Sequence, residues 1–306
     1  MNSIENILVL VNPIAASNSG SRLWGGVRPR FEALFSDCTR RVIETTSREH
    51  SIELGETAKA DLIIAVGGDG SVHSIAQGIM HRPRDERPTL GVLPIGSGND
   101  FARSLGISFA PKRALAQLSD GVTASVDVGR CNDIFFLETL SIGVDAAVAI
   151  KTVELRKSAR DRGLLLYARA AISAILHELR AHHFSITTKE GLVLDEELLI
   201  CAIQNGQTYG GGFRITPEAR LNDGQLDICV VNQTSTLFAL YALALLSRGK
   251  HEHLSIVRSF KTKALHIEIA DEIAIQCDGE AVQGKSFDIE LLPDALEVLM
   301  PRDATL

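Results

Sequence analysis

Two short stretches concentrate the residue types that hold phosphate. Gly67-Gly68-Asp69-Gly70-Ser71 follows an apolar run ending at Val66, and Gly96-Ser97-Gly98-Asn99 follows another ending at Ile95. Where a strand passes into a helix, the amides of the helix N-terminus are unpaired and carry partial positive charge. Glycine lets that backbone bend freely and lets an anion come close. Together these properties make a phosphate cradle. Either bend taken singly reads as a tight strand-to-helix turn. Two of them, each with an aspartate (Asp69, Asp100), read as paired phosphate loops. A dinucleotide fingerprint would need a third glycine where His73 stands. A Walker A loop would need a lysine after its last glycine, and neither bend has one.

The surrounding periodicities supply the elements that must position these bends. Strands are expected at Asn6–Val11, Arg41–Thr45, Asp61–Val66 and Thr89–Ile95. After Ser71 the period changes: Val72, Ile75, Ala76 and Ile79 share one face of a helix. Phe101 and Leu105 stand one turn apart, with Asn99 as N-cap and Gly106 as stop, and Pro111 opens a further helix that Gly121 closes. Strands alternating with helices imply an α/β domain with a parallel sheet. From about residue 129 onward, alternation dominates instead: Phe184, Ile186, Thr188; Leu265, Ile267, Ile269; Ile273, Ile275, Cys277; Phe287, Ile289, Leu291. That is the signature of antiparallel, half-buried strands. The domains are therefore expected at 1–128 and 129–306, the second mostly β with helices near Leu164–Arg180 and Leu237–Leu246. The latter run is too short to span a bilayer. Being apolar all round, it is expected in the core; the alternative sets its end, with Arg248 and Lys250, against anionic lipid headgroups. His251 and His253 are expected at the surface.

Composition narrows the function classes. The 306 residues carry a net charge of −7 and only 5% aromatics, which argues against nucleic-acid binding. Five scattered cysteines form neither a CxxC pair nor a disulfide framework. The opening "MNSIENILVLVNP" lacks a signal-peptide pattern, so a cytoplasmic setting is expected.

"GGDGS", "PIGSGNDFAR", "NGQTYGGGFRITPEARLNDGQLD" and "CDGE", in that order, resemble the diacylglycerol-kinase catalytic family, in its bacterial lipid-kinase, sphingosine-kinase-like branch. The resemblance runs from Asn12-Pro13 to about Pro301. GGDG alone is shared with NAD kinases; the series of four is far more specific. The resemblance implies an NAD kinase/diacylglycerol kinase-like α/β domain, a C-terminal β-sandwich, and a terminal tail packing back on the first domain. It also implies an active site in the cleft between the domains, ATP and Mg²⁺ as cofactors, and a lipid with a free hydroxyl as substrate. Peripheral contact with the inner face of a membrane goes with that substrate, and self-association is left open.

Carried over residue by residue, the resemblance places Asn12, Pro13 and Thr46 at the nucleotide. Gly67, Gly68, Gly70, Ser71, Gly96, Ser97, Gly98 and Asn99 hold its phosphates. Asp69 helps to place Mg²⁺, and Glu280 acts as general base; read without the family, Asp278-Gly279 is a hairpin turn beside a glutamate. Asp127 matches a carboxylate near the hinge, with a turn or salt-bridge role equally open. Arg220 and Gln225, through carbonyls, and Asp223, through its carboxylate, match a structural Mg²⁺ or Ca²⁺ loop, with an Asp-Gly turn as the alternative. The chain departs from the family at His73-Ser74, where Asn-Glu is usual, and in the loop after Asn12-Pro13, which lacks the usual glycine and lysine pattern. The rival readings are an NAD kinase-like phosphotransferase and a non-catalytic nucleotide or lipid binder.

Overall fold

A computed structural model describes residues 4–148, 151–152 and 164–306. It resolves into two compact units, Met1–Val126 with Pro293–Leu306, and Asp127–Leu292.

The first unit is built on parallel strands β1 (Asn6–Val11), β2 (Thr39–Glu44), β3 (Leu62–Gly67) and β4 (Thr89–Pro94), in the order β2-β1-β3-β4. Central strands of a parallel sheet are covered on both faces, so they read as unbroken apolar runs. β3 and β4 are buried along their whole length, and β1 all but its first residue. β2 lies at the edge and carries exposed Thr39, Arg40 and Arg41. The far edge is closed by the chain's last strand, whose Val298 pairs in parallel with Leu90.

Helices α1 (Gly20–Leu34), α2 (Arg48–Thr57), α3 (Asp69–Met80), α4 (Asp100–Ser104) and α5 (Pro111–Ser119) connect the strands. α1 forms despite Gly25, Gly26 and Pro29, because Trp24, Val27 and Phe31 bury one face and the rings of Trp24 and Phe31 pack at a 58° tilt with centroids 5.3 Å apart. Ser47 caps α2 by accepting the His50 N–H. Gly106 stops α4 in the left-handed region, at φ 70°.

The second unit is antiparallel throughout. β12 (Leu226–Asn232), β9 (Val193–Gln204), β7 (Thr139–Gly143) and β14 (Ala264–Cys277) lie side by side, with β13 (Val257–Thr262) at one edge. β8 (His182–Thr188) pairs with the far halves of both β9 and β14, so these strands fold over into two layers. Between the layers lie Phe136, Phe184, Ile186, Cys201, Ile203, Ile228, Ile267, Ile275 and Phe287. The alternation read from sequence is this inward face. β9 and β12 are covered on their other face too: Ala202 and Cys229 point away from the sandwich, toward α6 (Leu164–His177) and α7 (Thr236–Leu246).

Two expectations fail here. α7 is not a core helix: only Ala239 and Leu246 are buried, while Leu237 is 81% exposed and Tyr241 53%. An all-apolar composition hides the face that packs, and this helix lies on the outside of the sheet. His251, by contrast, is buried, its Nε2–H donating to the Ile215 carbonyl at 2.9 Å.

Candidate functional site

In the first unit, parallel pairing brings the strand ends together. Val11 is level with Glu44 on one side and Val66 on the other, and Gly67 is level with Pro94. Asn12, Thr46, the Gly67–Ser71 bend and the Gly96–Asn99 bend therefore share the carboxyl edge of the sheet. From β1 the chain runs to β2 on one side and then to β3 and β4 on the other. Such a switch of direction opens a binding crevice in α/β sheets.

The two glycine bends interlock. A Cβ on Gly96 would fall 2.3 Å from the Gly68 Cα, and one on Gly68 would fall 2.9 Å from the Gly96 Cα. No side chain fits at either position, so backbone packs directly on backbone. Asp69 completes the joint: its Oδ2 accepts the Asn99 N–H at 2.7 Å and its Oδ1 the Phe101 N–H at 3.3 Å. Asn99 stands at the N-cap position of α4 as expected, but it adopts φ 57° and folds its amide back on Gly96, accepting its N–H at 2.9 Å and donating to its carbonyl at 3.0 Å. The capping oxygen for α4 thus comes from Asp69, thirty residues earlier in sequence.

What this joint leaves open is the first turn of α3. Gly70 is exposed, and nothing lies within 4 Å of where its Cβ would stand. Ser71 packs against Gly67, and its hydroxyl accepts from Asn12 Nδ2 at 2.8 Å, tying β1 to α3. Asn12 Oδ1 in turn accepts the Ile14 N–H, and the Pro13 carbonyl accepts the Gly20 N–H at 3.1 Å. Between them, Ala16, Ser17 and Asn18 take left-handed φ values of 53°, 57° and 62°. Three successive non-glycine residues are thus held in left-handed strain, a form of stored strain common at binding sites. Thr46 is turned toward His50, whose Nδ1 accepts its N–H and lies 2.9 Å from its hydroxyl. Ser97 is exposed at the tip of the second bend, with Gly98 half-buried beside it. His73 and Ser74 are buried in α3, and the Ser74 hydroxyl donates to the Gly70 carbonyl.

The motifs of the second unit converge as closely. Asp278 and Gly279, with φ of 47° and 91°, make the two-residue turn between β14 and β15 (Glu280–Met300), and Glu280 pairs with Cys277. Left-handed φ at both turn positions is what Asp-Gly favours. Asp278 also folds its carboxylate onto a neighbouring strand, accepting the N–H groups of Leu137, Glu138 and Thr139 at 2.6, 3.1 and 2.9 Å. Glu280, half-buried, begins the next strand.

Buried Asn205 donates to the carbonyls of Asp127 and Leu137, and Gly206 packs so closely on buried Glu138 that a Cβ would overlap its carboxylate. Asp127, itself buried, accepts the Gly224 N–H at 2.8 Å and donates its own N–H to Leu221. Asp127 thus braces the turn at 221–224. One continuous network links 127, 137–139, 205–206, 221–224 and 278. Sequence reasoning missed Asn205 and Glu138; the Asn-Gly dipeptide at 205–206 was the only local signal.

The loop carrying Arg220, Asp223 and Gln225 does not fit the expected metal. Asp223 Oδ1 accepts the Gln225 N–H, and its Oδ2 lies 2.9 Å from Lys261 Nζ, which also lies 3.2 Å from Asp227. Burial pulls Lys261 down, but these two carboxylates outweigh it and hold its pKa above the ordinary value. A permanent ammonium thus neutralises the carboxylate intended for the ion, and the Asp-Gly turn reading fits. Burial likewise pushes the Cys131 and Cys229 thiols up to about 12, which leaves them poor nucleophiles and metal ligands.

Comparison with known proteins identifies relatives of both units. Residues 6–131 match the model of the diacylglycerol kinase catalytic domain, and residues 138–300 match that of the YegS C-terminal NAD kinase beta sandwich-like domain. A "Probable lipid kinase YegS-like" protein of Pectobacterium atrosepticum is 29% identical over 84% of this chain and 83% of its own length. The solved structure of "A putative diacylglycerol kinase from Bacillus anthracis str. Sterne" superposes with TM-score 0.83 at 25% identity, covering 100% of both chains. An NAD kinase from Archaeoglobus fulgidus, solved with ATP, shares the fold alone, with TM-score 0.54 at 10% identity. The chain belongs to the family that joins a diacylglycerol kinase catalytic domain to a YegS-type, NAD kinase-like β-sandwich.

Proposed function

We propose that this protein is an ATP-dependent lipid kinase. The observation that carries the reading is the pair of interlocked glycine bends at the switch point of the parallel sheet, with the open first turn of α3 beside them. The amides around Gly68, Asp69 and Gly70 would receive the triphosphate, beside a Ser71 N–H that donates to the Gly68 carbonyl, and Asn12, Pro13 and Thr46 would line the nucleotide. Gly67, Gly96, Gly98 and Asn99 shape the loops, and Ser97 offers a hydroxyl at the tip. Asp69 braces the loops through both carboxylate oxygens, and the same carboxylate would help to hold a cation. Mg²⁺ there would neutralise charge on the β- and γ-phosphates.

The chemistry is in-line transfer. The lipid hydroxyl oxygen forms a bond to the γ-phosphorus, the bond to the β-phosphate oxygen breaks, and ADP leaves. Glu280 orients the hydroxyl and accepts its proton. Diacylglycerol, a sphingoid base and similar single-hydroxyl lipids all suit this scheme.

Incubating a total lipid extract with the protein and labelled ATP, followed by mass spectrometry, tests the proposal. A labelled lipid carrying one added phosphoryl group is expected. Phosphorylation of NAD with no lipid product, or nucleotide binding without turnover of any lipid, would contradict it.

A further inference from the structure

The two helices on the outside of the sandwich carry matching stripes. On α6, Leu165, Arg169, Ile172 and Leu176 follow one another at steps of four, three and four, one face of a helix, and all are exposed. On α7, Leu237, Tyr241 and Ala244 repeat the first two of these steps, Arg248 follows in the turn just past the helix, and all four are exposed. The fractions are large for such residues: Leu165 59%, Leu176 53%, Leu237 81%, Tyr241 53%.

Both helices pack on the same face of β9 and β12, α6 through Ala170, Ala171 and Ala174, α7 through Leu243 and Leu246. Their outer stripes therefore look the same way, away from the sheet. Both helices thus expose apolar side chains on the outside of the sheet, with Arg169 on α6 and exposed Arg248 and Lys250 just past α7. A patch of this kind on a water-facing surface marks an interaction site.

We propose that this surface docks the protein on an anionic lipid leaflet. The choice of a leaflet over a protein partner rests partly on the lipid-kinase reading above, and partly on charge. The chain as a whole is acidic, at −7, yet this patch carries Arg169, Arg248 and Lys250. Long basic side chains beside leucines and a tyrosine can bury their stems while their heads reach phosphate groups. Two copies meeting through the patch would instead set arginine against arginine.

Co-sedimentation of the full chain with phosphatidylcholine/phosphatidylglycerol vesicles, and with phosphatidylcholine alone, tests the proposal. The wild type is expected to bind the mixed vesicles more tightly. Leu237→Glu/Tyr241→Glu should lower partitioning about tenfold or more, from the loss of apolar burial. Arg248→Glu/Lys250→Glu should lower it on mixed vesicles by about tenfold, with little change on phosphatidylcholine. Leu165→Gln, on the other helix, should act in the same direction. Thermal melting of each variant guards against misfolding. All variants should keep turnover of a short-chain lipid alcohol dispersed as monomers.

Vesicle binding lost with the patch, but with no lipid turned over by any form, would leave docking intact and sink the kinase reading. Turnover of dispersed lipid with no vesicle binding by the wild type, or with patch variants binding as the wild type does, would sink docking alone. A wild-type dimer that the patch variants dissociate, without vesicle binding, would make the surface an interface between copies and overturn the proposal.

Discussion

Asp69-Gly70 and Asp278-Gly279 lie in different units and in unrelated local structure, one opening a helix and the other turning a hairpin. Their carboxylates nevertheless do the same work. Each accepts backbone N–H groups from a segment far away in sequence, Asp69 from residues 99 and 101, Asp278 from residues 137 to 139. In both motifs the aspartate is a brace, and the group that it presents is its neighbour: the open amide turn at Gly70 in one case, the carboxylate of Glu280 in the other. An acid in a motif is thus not automatically the acid that does chemistry.

Stability measurements can break that comparison. The largest effect is expected for Asp278→Ala, which orphans three amides and leaves alanine at left-handed φ; a loss of about 3–5 kcal/mol should appear as a lower urea midpoint. Asp69→Ala, with two amides orphaned and the α4 cap removed, should cost about 2–3 kcal/mol and loosen ATP binding in calorimetry. If either variant melts like the wild type, that aspartate is no brace.

A third carboxylate, Asp145, sharpens the contrast because hydroxyl groups face it. Burial pushes Asp145 up to about 6, with the hydroxyls of Ser141 and Tyr209 drawing it part of the way back. A carboxyl whose folded pKa lies above its unfolded 3.8 binds its proton more tightly in the fold. Its contribution is therefore most favourable below that value and is lost as pH rises toward about 6. Asp145→Asn should raise stability at neutral pH by about 2 kcal/mol and flatten its pH dependence across that window, as followed by melting at several pH values. The smallest effect is expected for Ala16→Gly, which relieves left-handed strain and should stabilise by about 1 kcal/mol, read from the same melts.

The parallel strands were legible because burial on both faces forces continuous apolar runs, and the sandwich strands because one inward face forces alternation. Helix α1 was hidden by Gly25, Gly26 and Pro29, whose weak propensity is overridden by the packing of Trp24 and Phe31. α7 was misread because a uniformly apolar helix gives no sign of which side is covered. Within the sites, the glycine bends were visible as types and spacing, but the braces were not. The pairing of Asp69 with Asn99, Asp278 with Leu137, and Asp223 with Lys261 joins residues remote in sequence. Only the closed fold brings them together.

The central claim concerns Glu280, and Glu280→Gln tests it most directly. The variant keeps size and hydrogen-bonding capacity but cannot accept the proton of the lipid hydroxyl. Single-turnover transfer from labelled ATP to the lipid identified in the extract should fall by about 10²–10⁴-fold, with ATP affinity and melting temperature nearly unchanged. Transfer at the wild-type rate in that variant would contradict the account.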